Sequence, residues 1–293
     1  MGAHARGRND PGLPVRTRRQ GPEDARGHAA RRRGRGGMNA ISAAIRGARH
    51  DGPALVAYLT AGYPRRETFL ATLNDIAEAA DVVEIGVPFS DPMADGLTIQ
   101  RSSRVALAQG VSLGWLLETL DGSGGGFKAP LLLMSYLNPL LAYGLGALPA
   151  AARRAGISGF IVPDLPLEEC MELKAALSRE DLALVQFVAP TTPPERAAEL
   201  GAASEGFLYA LTMNGITGQD AALPEATLAW LARLRALAAV PVCAGFGIRN
   251  AAQVARLAPH VDGVIVGSAL VEVLERGEDA GAFVHGLRPA RAG

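Results

Sequence analysis

Residues 81–96 read DVVEIGVPFSDPMADG, and this stretch changes character halfway along. Its first half is a continuous apolar run, which is typical of a strand in a parallel sheet that is covered on both faces. Its second half is a loop that contains prolines and acids. Glu84 lies inside the apolar run, and Asp91 and Asp95 follow it in the loop. A buried strand that leads into an acidic loop predicts a functional site at the carboxyl end of that strand.

The same change from apolar run to loop recurs along the chain. From Met38 onward, short apolar runs bounded by Gly, Pro, Asp or Asn alternate with amphipathic stretches. The apolar runs are Ala54–Thr60, Asp81–Gly86, Pro130–Tyr136, Ile157–Pro163, Leu182–Val188, Gly206–Thr212, Val240–Ala244 and Asp262–Val266. About eight parallel strands separated by helices predict a single-domain (β/α)8 TIM barrel, and a doubly wound open sheet is the alternative.

Helical periodicity fills most of the gaps between these runs. An extra N-terminal helix, Asn39–Arg49, is predicted before the first strand. The other predicted helices are Arg66–Ala79, Arg101–Leu120, Ala147–Ala155, Leu167–Arg179, Pro193–Leu200, Glu225–Ala238, Asn250–Ala258 and Ser268–Arg276. In a barrel of this kind the chemistry lies at the carboxyl ends of the strands, so the loops that follow the strands are the places to search.

The first 37 residues differ in composition from the rest of the chain. They contain ten arginines, three acids and almost no large apolar side chains. Such a segment cannot form a core, so we predict a disordered Arg/Gly-rich extension over 1–37 and a catalytic barrel domain over 38–293. A nucleic-acid-binding arm, a targeting sequence, or sequence upstream of a true start at Met38 are the alternatives.

Composition also narrows the class of protein. Acids outnumber bases in the domain, so it does not continue the basic character of the leading segment and no nucleic-acid partner is expected. The chain has no run of 18 apolar residues, and no membrane partner is expected. Cys170 and Cys243 are far apart and lack metal-ligand spacing. We therefore expect reduced thiols in a cytoplasmic protein and no metal site.

Three glycine clusters follow predicted strands, namely NGITG (214–218), AGFGI (244–248) and VGSAL (266–270). Small residues let backbone amides face a ligand, and the third cluster leads into a helix whose N-terminus favours an anion. A single cluster suits a tight turn, whereas three at consecutive strand ends predict a phosphate site. We expect the amides of Gly218, Gly247, Gly267 and Ser268 to bind it, while Arg249 is the nearest basic side chain.

Carboxylates are the best candidates for proton transfer. None of the five histidines falls at a predicted strand end, so a Ser–His or Cys–His system has no support. Glu84 is predicted to be buried, which raises a carboxyl pKa towards the range of a general acid–base. A structural glutamate bonded to the backbone is the alternative. Asp95 is predicted to be exposed and ionised, so the two form a pair in contrasting environments.

Three tyrosines also lie near predicted strand ends. They are Tyr58, Tyr136 and Tyr209. Most tyrosines at such positions are packing residues, but in a pocket each supplies a flat apolar wall with a polar tip. We therefore predict that these three side chains contribute to substrate binding.

Over residues 38–287 the sequence resembles the α subunit of tryptophan synthase. The matching stretches are LVAYLTAGYP (55–64), VEIGVPFSDPMADGLTIQRSS (83–103), LLLMSYLNPLLAYG (131–144), GFIVPDLPLEE (159–169) and the three glycine clusters. The EIGVPFSDPxADG pattern is highly specific to the family. The chain departs from the usual pattern at Met93 and Leu97, where leucine and proline are usual, and the leading 37 residues have no counterpart.

The resemblance implies a carbon–carbon lyase that cleaves indole-3-glycerol phosphate to indole and glyceraldehyde 3-phosphate in tryptophan biosynthesis. It places the catalytic glutamate at Glu84 and the catalytic aspartate at Asp95. It also implies no cofactor in this subunit, and a β subunit with pyridoxal phosphate as partner in an α2β2 complex. The family's partner-facing segments fall on Pro88, Asp91, Asn138 and Pro166 in this chain.

Two other functions remain open at the level of sequence. One is an α-like subunit that acts mainly as an activator of a β partner. The other is a different TIM-barrel enzyme that acts on a sugar phosphate. A lysine-dependent aldolase is disfavoured, because Lys128 and Lys174 both fall outside the predicted strand ends.

Overall fold

The structure is a computed structural model, and it describes residues 39–48, 52–212, 223–245 and 247–289. The extension predicted over 1–37 lies outside these residues, as does the cluster 214–218 with Gly218. The domain boundary near Met38 therefore stays a prediction.

Eight strands within the described residues form one closed parallel barrel in chain order, with the last strand paired to the first. The strands are β1 Ala54–Thr60, β2 Val82–Gly86, β3 Leu131–Met134, β4 Ile157–Ile161, β5 Ala183–Val188, β6 Leu208–Leu211, β7 Val242–Gly245 and β8 Gly263–Val266. Each predicted apolar run contains one of them or overlaps most of it. The predicted TIM barrel is confirmed, and the open doubly wound sheet is excluded because the strand order closes.

Helices surround the barrel. They are α1 Ala40–Ala48, α2 Phe69–Ala79, α3 Leu97–Ala108, α4 Leu113–Gly122, α5 Leu137–Tyr143, α6 Leu148–Arg154, α7 Met171–Ser178, α8 Pro194–Ala203, α9 Glu225–Leu237, α10 Ala251–Leu257, α11 Ser268–Glu275 and α12 Ala280–Gly286. Short 3-10 turns at Arg66–Thr68 and Leu167–Glu169 precede α2 and α7. No helix in the described part of the chain has the length and apolar composition to cross a membrane.

The single helix predicted over Arg101–Leu120 is wrong. The chain forms α3 and α4 instead, and Gly110 between them adopts a φ of 75°, which is outside the helical region. Ser112 then caps α4 by accepting a hydrogen bond from the backbone N–H of Trp115 at 3.1 Å. Helices α5 and α12 have no counterpart among the predicted helices.

Helix α1, the predicted N-terminal helix, closes the amino-terminal end of the barrel. Ile41 and Ile45 are fully buried and belong to the same cluster as the first residues of several strands, including Ala54 and Val82. The hydroxyl of Ser42 donates a hydrogen bond to the carbonyl of Gly206. The barrel is therefore packed with apolar side chains at this end, and open space is left at the carboxyl ends of the strands.

Two buried or half-buried aspartates join strands at the amino-terminal end. Asp262 accepts from the backbone N–H of Val242 and pairs with Arg235 at 3.0 Å. Asp81 accepts a hydrogen bond from the backbone N–H of Leu55 at 2.8 Å and forms an ion pair with Arg288. These contacts give both carboxylates a structural role away from the site at the opposite end.

Candidate active site

A cavity of about 250 Å³ lies at the carboxyl ends of the strands. It is lined by Tyr58, Glu84, Ala94, Asp95, Gly96, Ile99, Met134, Tyr209, Leu211, Gly245, Gly247, Ile265, Gly267 and Ser268. Seven of the predicted site residues are in this set, although they come from five strands or the loops after them. The two carboxyl residues line one hollow, together with small residues of the last two loops.

Glu84 lies in the middle of β2, between Tyr58 of β1 and Leu132 of β3 in register. Its side chain is 0% exposed, and neither carboxyl oxygen has a hydrogen-bond partner among the described residues. Burial raises its pKa to about 8, so the carboxyl is mostly protonated at neutral pH. Among the described residues no backbone group forms a hydrogen bond with Glu84, so they do not support the alternative of a structural glutamate.

Asp95 lies in the loop between β2 and α3. Its carboxylate accepts a hydrogen bond from the hydroxyl of Tyr136 at 3.2 Å, and that hydroxyl accepts from the N–H of Ala94 at 2.9 Å. The side-chain amide of Gln100 donates to the Asp95 carbonyl at 2.9 Å. Helix α3 and the residue before α5 thus hold the loop from two sides.

The expected exposure of Asp95 is wrong. The residue is half-buried, because Tyr136 and the start of α3 cover it, and burial raises its pKa to about 6 although the Tyr136 hydrogen bond opposes the shift. Asp95 is still mostly ionised at neutral pH. The two carboxyl groups therefore differ in charge at pH 7, with Glu84 neutral and Asp95 negative.

The tyrosines form the walls between these carboxylates. Tyr58 and Tyr209 line the main cavity, and Tyr136 lines a water-sized niche beside it together with Asp95. The Tyr58 hydroxyl occupies the space beside Gly86, where an added Cβ would stand 2.1 Å from its oxygen. Only glycine at this position of β2 permits the observed place of Tyr58.

Small residues of the last two loops also line the cavity. Gly267 precedes α11 and Ser268 is its first residue, so the N-terminus of this helix lies at the cavity. Gly247 lies on the same wall with a φ of 65°. Arg249 is not available as a counterion here, since its guanidinium binds Glu272 with two contacts of 2.7 and 3.0 Å.

The residues predicted to face a partner lie near this mouth of the barrel. Asp91, Asn138 and Pro166 are exposed. Pro88 is buried within the chain, so the expectation that it faces a partner does not fit its position.

Sequence reasoning missed the polar side chains beneath the tyrosines. Thr60 and Ser102 are fully buried and connect to the Tyr58 hydroxyl by hydrogen bonds. Thr60 ends the first apolar run, so its position at a strand end could have identified it. Ser102 lies in a predicted helix, where the sequence gives no such signal. Among the described residues, no cluster of three or more His, Cys, Asp or Glu side chains has the spacing to hold a metal ion.

A family model described as the tryptophan synthase alpha chain matches residues 46–285. The tryptophan synthase alpha chain of Desulfovibrio desulfuricans is 43% identical over 251 residues, which covers 84% of this chain and 98% of the relative. The corresponding chain of Chloroflexus aggregans is 43% identical over 242 residues, covering 82% of this chain and 91% of the relative.

Solved structures give the same result. The alpha subunit of tryptophan synthase from Legionella pneumophila superposes with a TM-score of 0.76 at 32% identity, covering 86% of this chain and 98% of that chain. The aminoacrylate-bound tryptophan synthase of Mycobacterium tuberculosis gives a TM-score of 0.76 at 34% identity, with coverage of 86% and 98%. With the barrel and its paired carboxylates, these matches show that the chain belongs to the tryptophan synthase alpha chain family.

Proposed function

We propose that Glu84 and Asp95 carry out the reaction of this family in the cavity at the mouth of the barrel. The chain is a carbon–carbon lyase of tryptophan biosynthesis that cleaves indole-3-glycerol phosphate into indole and glyceraldehyde 3-phosphate. The observation that supports these two roles is a contrast between two carboxyls on one cavity. Glu84 is neutral and has no hydrogen-bond partner within the described part of the chain, whereas Asp95 is ionised and hydrogen-bonded.

The reaction is a retro-aldol cleavage, and it requires two proton transfers. Protonated Glu84 donates its proton to the ring carbon that bears the glycerol chain, and positive charge spreads to the indole nitrogen. The Glu84 carboxylate then removes the proton of the adjacent hydroxyl. The O–H electrons form the aldehyde C=O, the C–C bond breaks, and its electrons restore the aromatic ring. Glu84 ends protonated again, so a single group serves as acid and base.

Asp95 supplies the fixed negative charge. An ionised carboxylate next to the indole N–H stabilises the positive charge that develops on the ring, and the partly buried setting strengthens this effect relative to water. The hydrogen bonds of Tyr136 and Gln100 restrain the loop, so little reorganisation is needed during the reaction.

The phosphate group is assigned to the backbone wall of the cavity. Amides of Gly267 and Ser268 stand at the N-terminus of α11, and Gly247 adds a third small residue on the same wall. Gly218 is proposed as a further contact of the phosphate, and it lies outside the described residues. Anchoring this end fixes the scissile bond between the two carboxyl groups.

The family implies a β subunit as partner, and the alpha chain itself has no cofactor of its own. The α2β2 stoichiometry and pyridoxal phosphate in the partner are part of our proposal. A partner surface at the barrel mouth is supported by exposed apolar side chains on Met93, Leu97 and Leu141. A cytoplasmic location fits the two free thiols, Cys170 and Cys243.

Indole release from indole-3-glycerol phosphate tests the proposal, measured with and without an added β subunit. Glu84→Gln is expected to abolish turnover while leaving affinity for the phosphate substrate nearly unchanged. Asp95→Asn is expected to lower kcat by roughly 100-fold or more, as loss of a charge-stabilising group does. Glu278→Gln, at an exposed ion pair with Arg276, serves as the control and should keep full activity. Full turnover in Glu84→Gln would contradict the assignment.

A further inference from the structure

A chain of buried hydroxyls connects the cavity to helix α3. The Tyr58 hydroxyl lies 3.3 Å from the Thr60 hydroxyl, and the Thr60 hydroxyl lies 2.6 Å from that of Ser102. The Ser102 hydroxyl in turn donates to the backbone carbonyl of Ile99 at 2.8 Å. Thr60 and Ser102 are fully buried, and neither lines the main cavity or the niche beside it.

Either hydroxyl of each pair could be the donor, and the hydrogen bond to the carbonyl of Ile99 favours one order. A carbonyl oxygen only accepts, so in the arrangement that makes all three hydrogen bonds at once the single proton of Ser102 goes to Ile99. Ser102 must then accept from Thr60, whose own proton is used in that bond. Thr60 can therefore only accept from Tyr58. The proton of Tyr58 points away from the cavity, and only the lone pairs of its oxygen remain for a ligand.

The other tyrosines differ from Tyr58 in this respect. The Tyr136 hydroxyl gives its proton to Asp95. The Tyr209 hydroxyl has no hydrogen-bond partner among the described residues, so its proton is free to turn towards a ligand. Burial raises the pKa of Tyr58 well above its ordinary value, so its hydroxyl stays protonated and the direction of the chain holds at all working pH values.

We infer that Tyr58, held as a hydrogen-bond acceptor by Thr60 and Ser102, is a specificity-determining residue that selects ligands with a donor on the ring. Tyr58 and Asp95 line the same cavity, and both offer only acceptors to a ligand there. A ring N–H brings a donor to this acceptor-lined part of the cavity, whereas a ring oxygen in its place adds a third acceptor there. The inference rests on the proposed function, in which the indole N–H is the donor that faces Asp95.

The test compares two inert ligands that differ in one atom. One is 3-(indol-3-yl)propyl phosphate, the substrate without its two hydroxyls, and the other is the benzofuran counterpart with oxygen in place of N–H. Calorimetric titration gives both dissociation constants for each variant. The native protein is expected to favour the indole compound, since a site built around a hydrogen bond strongly rejects an isostere that cannot form it.

Thr60→Val removes the acceptor of the Tyr58 proton without touching the ligand. The hydroxyl can then turn its proton towards the cavity, so the preference for the indole compound should fall roughly three- to tenfold, as expected for one hydrogen bond. Thr60→Ser keeps the chain and should keep the native preference. Tyr58→Phe should weaken binding of the indole compound while leaving the benzofuran compound bound as before or more tightly.

Ser102→Ala gives an independent route if Thr60→Val does not fold. Without the Ser102 oxygen, Thr60 can donate to Tyr58 and release the tyrosine proton, so the same fall in preference is expected. A preference within twofold of the native value in both chain variants, or equal weakening of both ligands by Tyr58→Phe, would overturn the inference. Failure of the proposed function is distinct, because the native protein would then neither release indole nor bind the indole compound.

Discussion

At the scale of one residue, the burial that suits Glu84 to proton transfer also lowers the stability of the folded protein. A buried carboxyl without partners resists ionisation, and its pKa of about 8 compares with 4.5 for an ordinary glutamate. In the unfolded chain the group ionises above pH 4.5, while in the folded protein it stays neutral up to about pH 8. The contribution of Glu84 therefore lowers the free energy of unfolding as pH rises through this window, by roughly 5 kcal/mol at its upper end.

Glu84→Gln should therefore stabilise the protein in a pH-dependent way. Near pH 4 both states of the native glutamate are protonated, so the substitution gives little pH-linked gain. Between pH 4.5 and 8 the gain in unfolding free energy should grow by a few kcal/mol and then level off. Urea unfolding at pH 4, 6 and 8 measures it. A gain that is the same at all three pH values would show that Glu84 is not buried as a neutral group.

The paired pKa values also predict the pH profile of the enzyme. Asp95 must be ionised and Glu84 protonated at the start of the cycle, so kcat/KM should fall below about pH 6 and above about pH 8. Steady-state indole release from pH 5 to 9 gives both limbs. In Asp95→Asn the residual activity should lose its acidic limb and keep the basic one. An acidic limb that survives this substitution would belong to another group.

At the scale of the strand, a glycine makes room for a tyrosine that lines the cavity. Gly86 ends β2, two residues beyond Glu84, and the Tyr58 hydroxyl fills the space that its side chain would take. Gly86→Ala should push Tyr58 away and lower indole release at least tenfold, because a misplacement of about 1 Å at a reacting centre costs that much or more. Gly122→Ala in α4 meets nothing within 4 Å and is the matched control, expected to keep full activity.

The same elements show what the sequence can and cannot predict. The buried strand around Glu84 is readable, because a continuous apolar run between helices has few other solutions. The environment of Asp95 is not, since the burial that raises its pKa depends on Tyr136, 41 residues away. The break between α3 and α4 is not predicted, because Gly110 and Ser112 lie within one apparently continuous periodic stretch.

At the scale of the whole molecule, the two ends of the barrel have separate tasks. Helix α1 closes the amino-terminal end with Ile41 and Ile45, and Asp262 ties β7 to the start of β8 beside it. The opposite end holds the cavity, the amides of the last loops and the exposed residues Asp91 and Asn138. Changes at the closed end should act on stability, whereas changes at the open end should act on chemistry or on binding of the partner.

Leu141 allows the partner surface to be tested apart from the chemistry. It lies on α5, one turn after Asn138, and half of it is exposed (50%) although it does not line the cavity. Leu141→Ser should leave indole release by the isolated chain unchanged and raise the concentration of β subunit needed for half-maximal stimulation several-fold, since exposed apolar side chains mark interaction sites. Leu237→Ser removes a more exposed leucine (69%) from the end of α9, next to the amino end of β7, and should leave the stimulation curve unchanged. Equal effects of the two substitutions would mean that the partner does not bind at the mouth of the barrel.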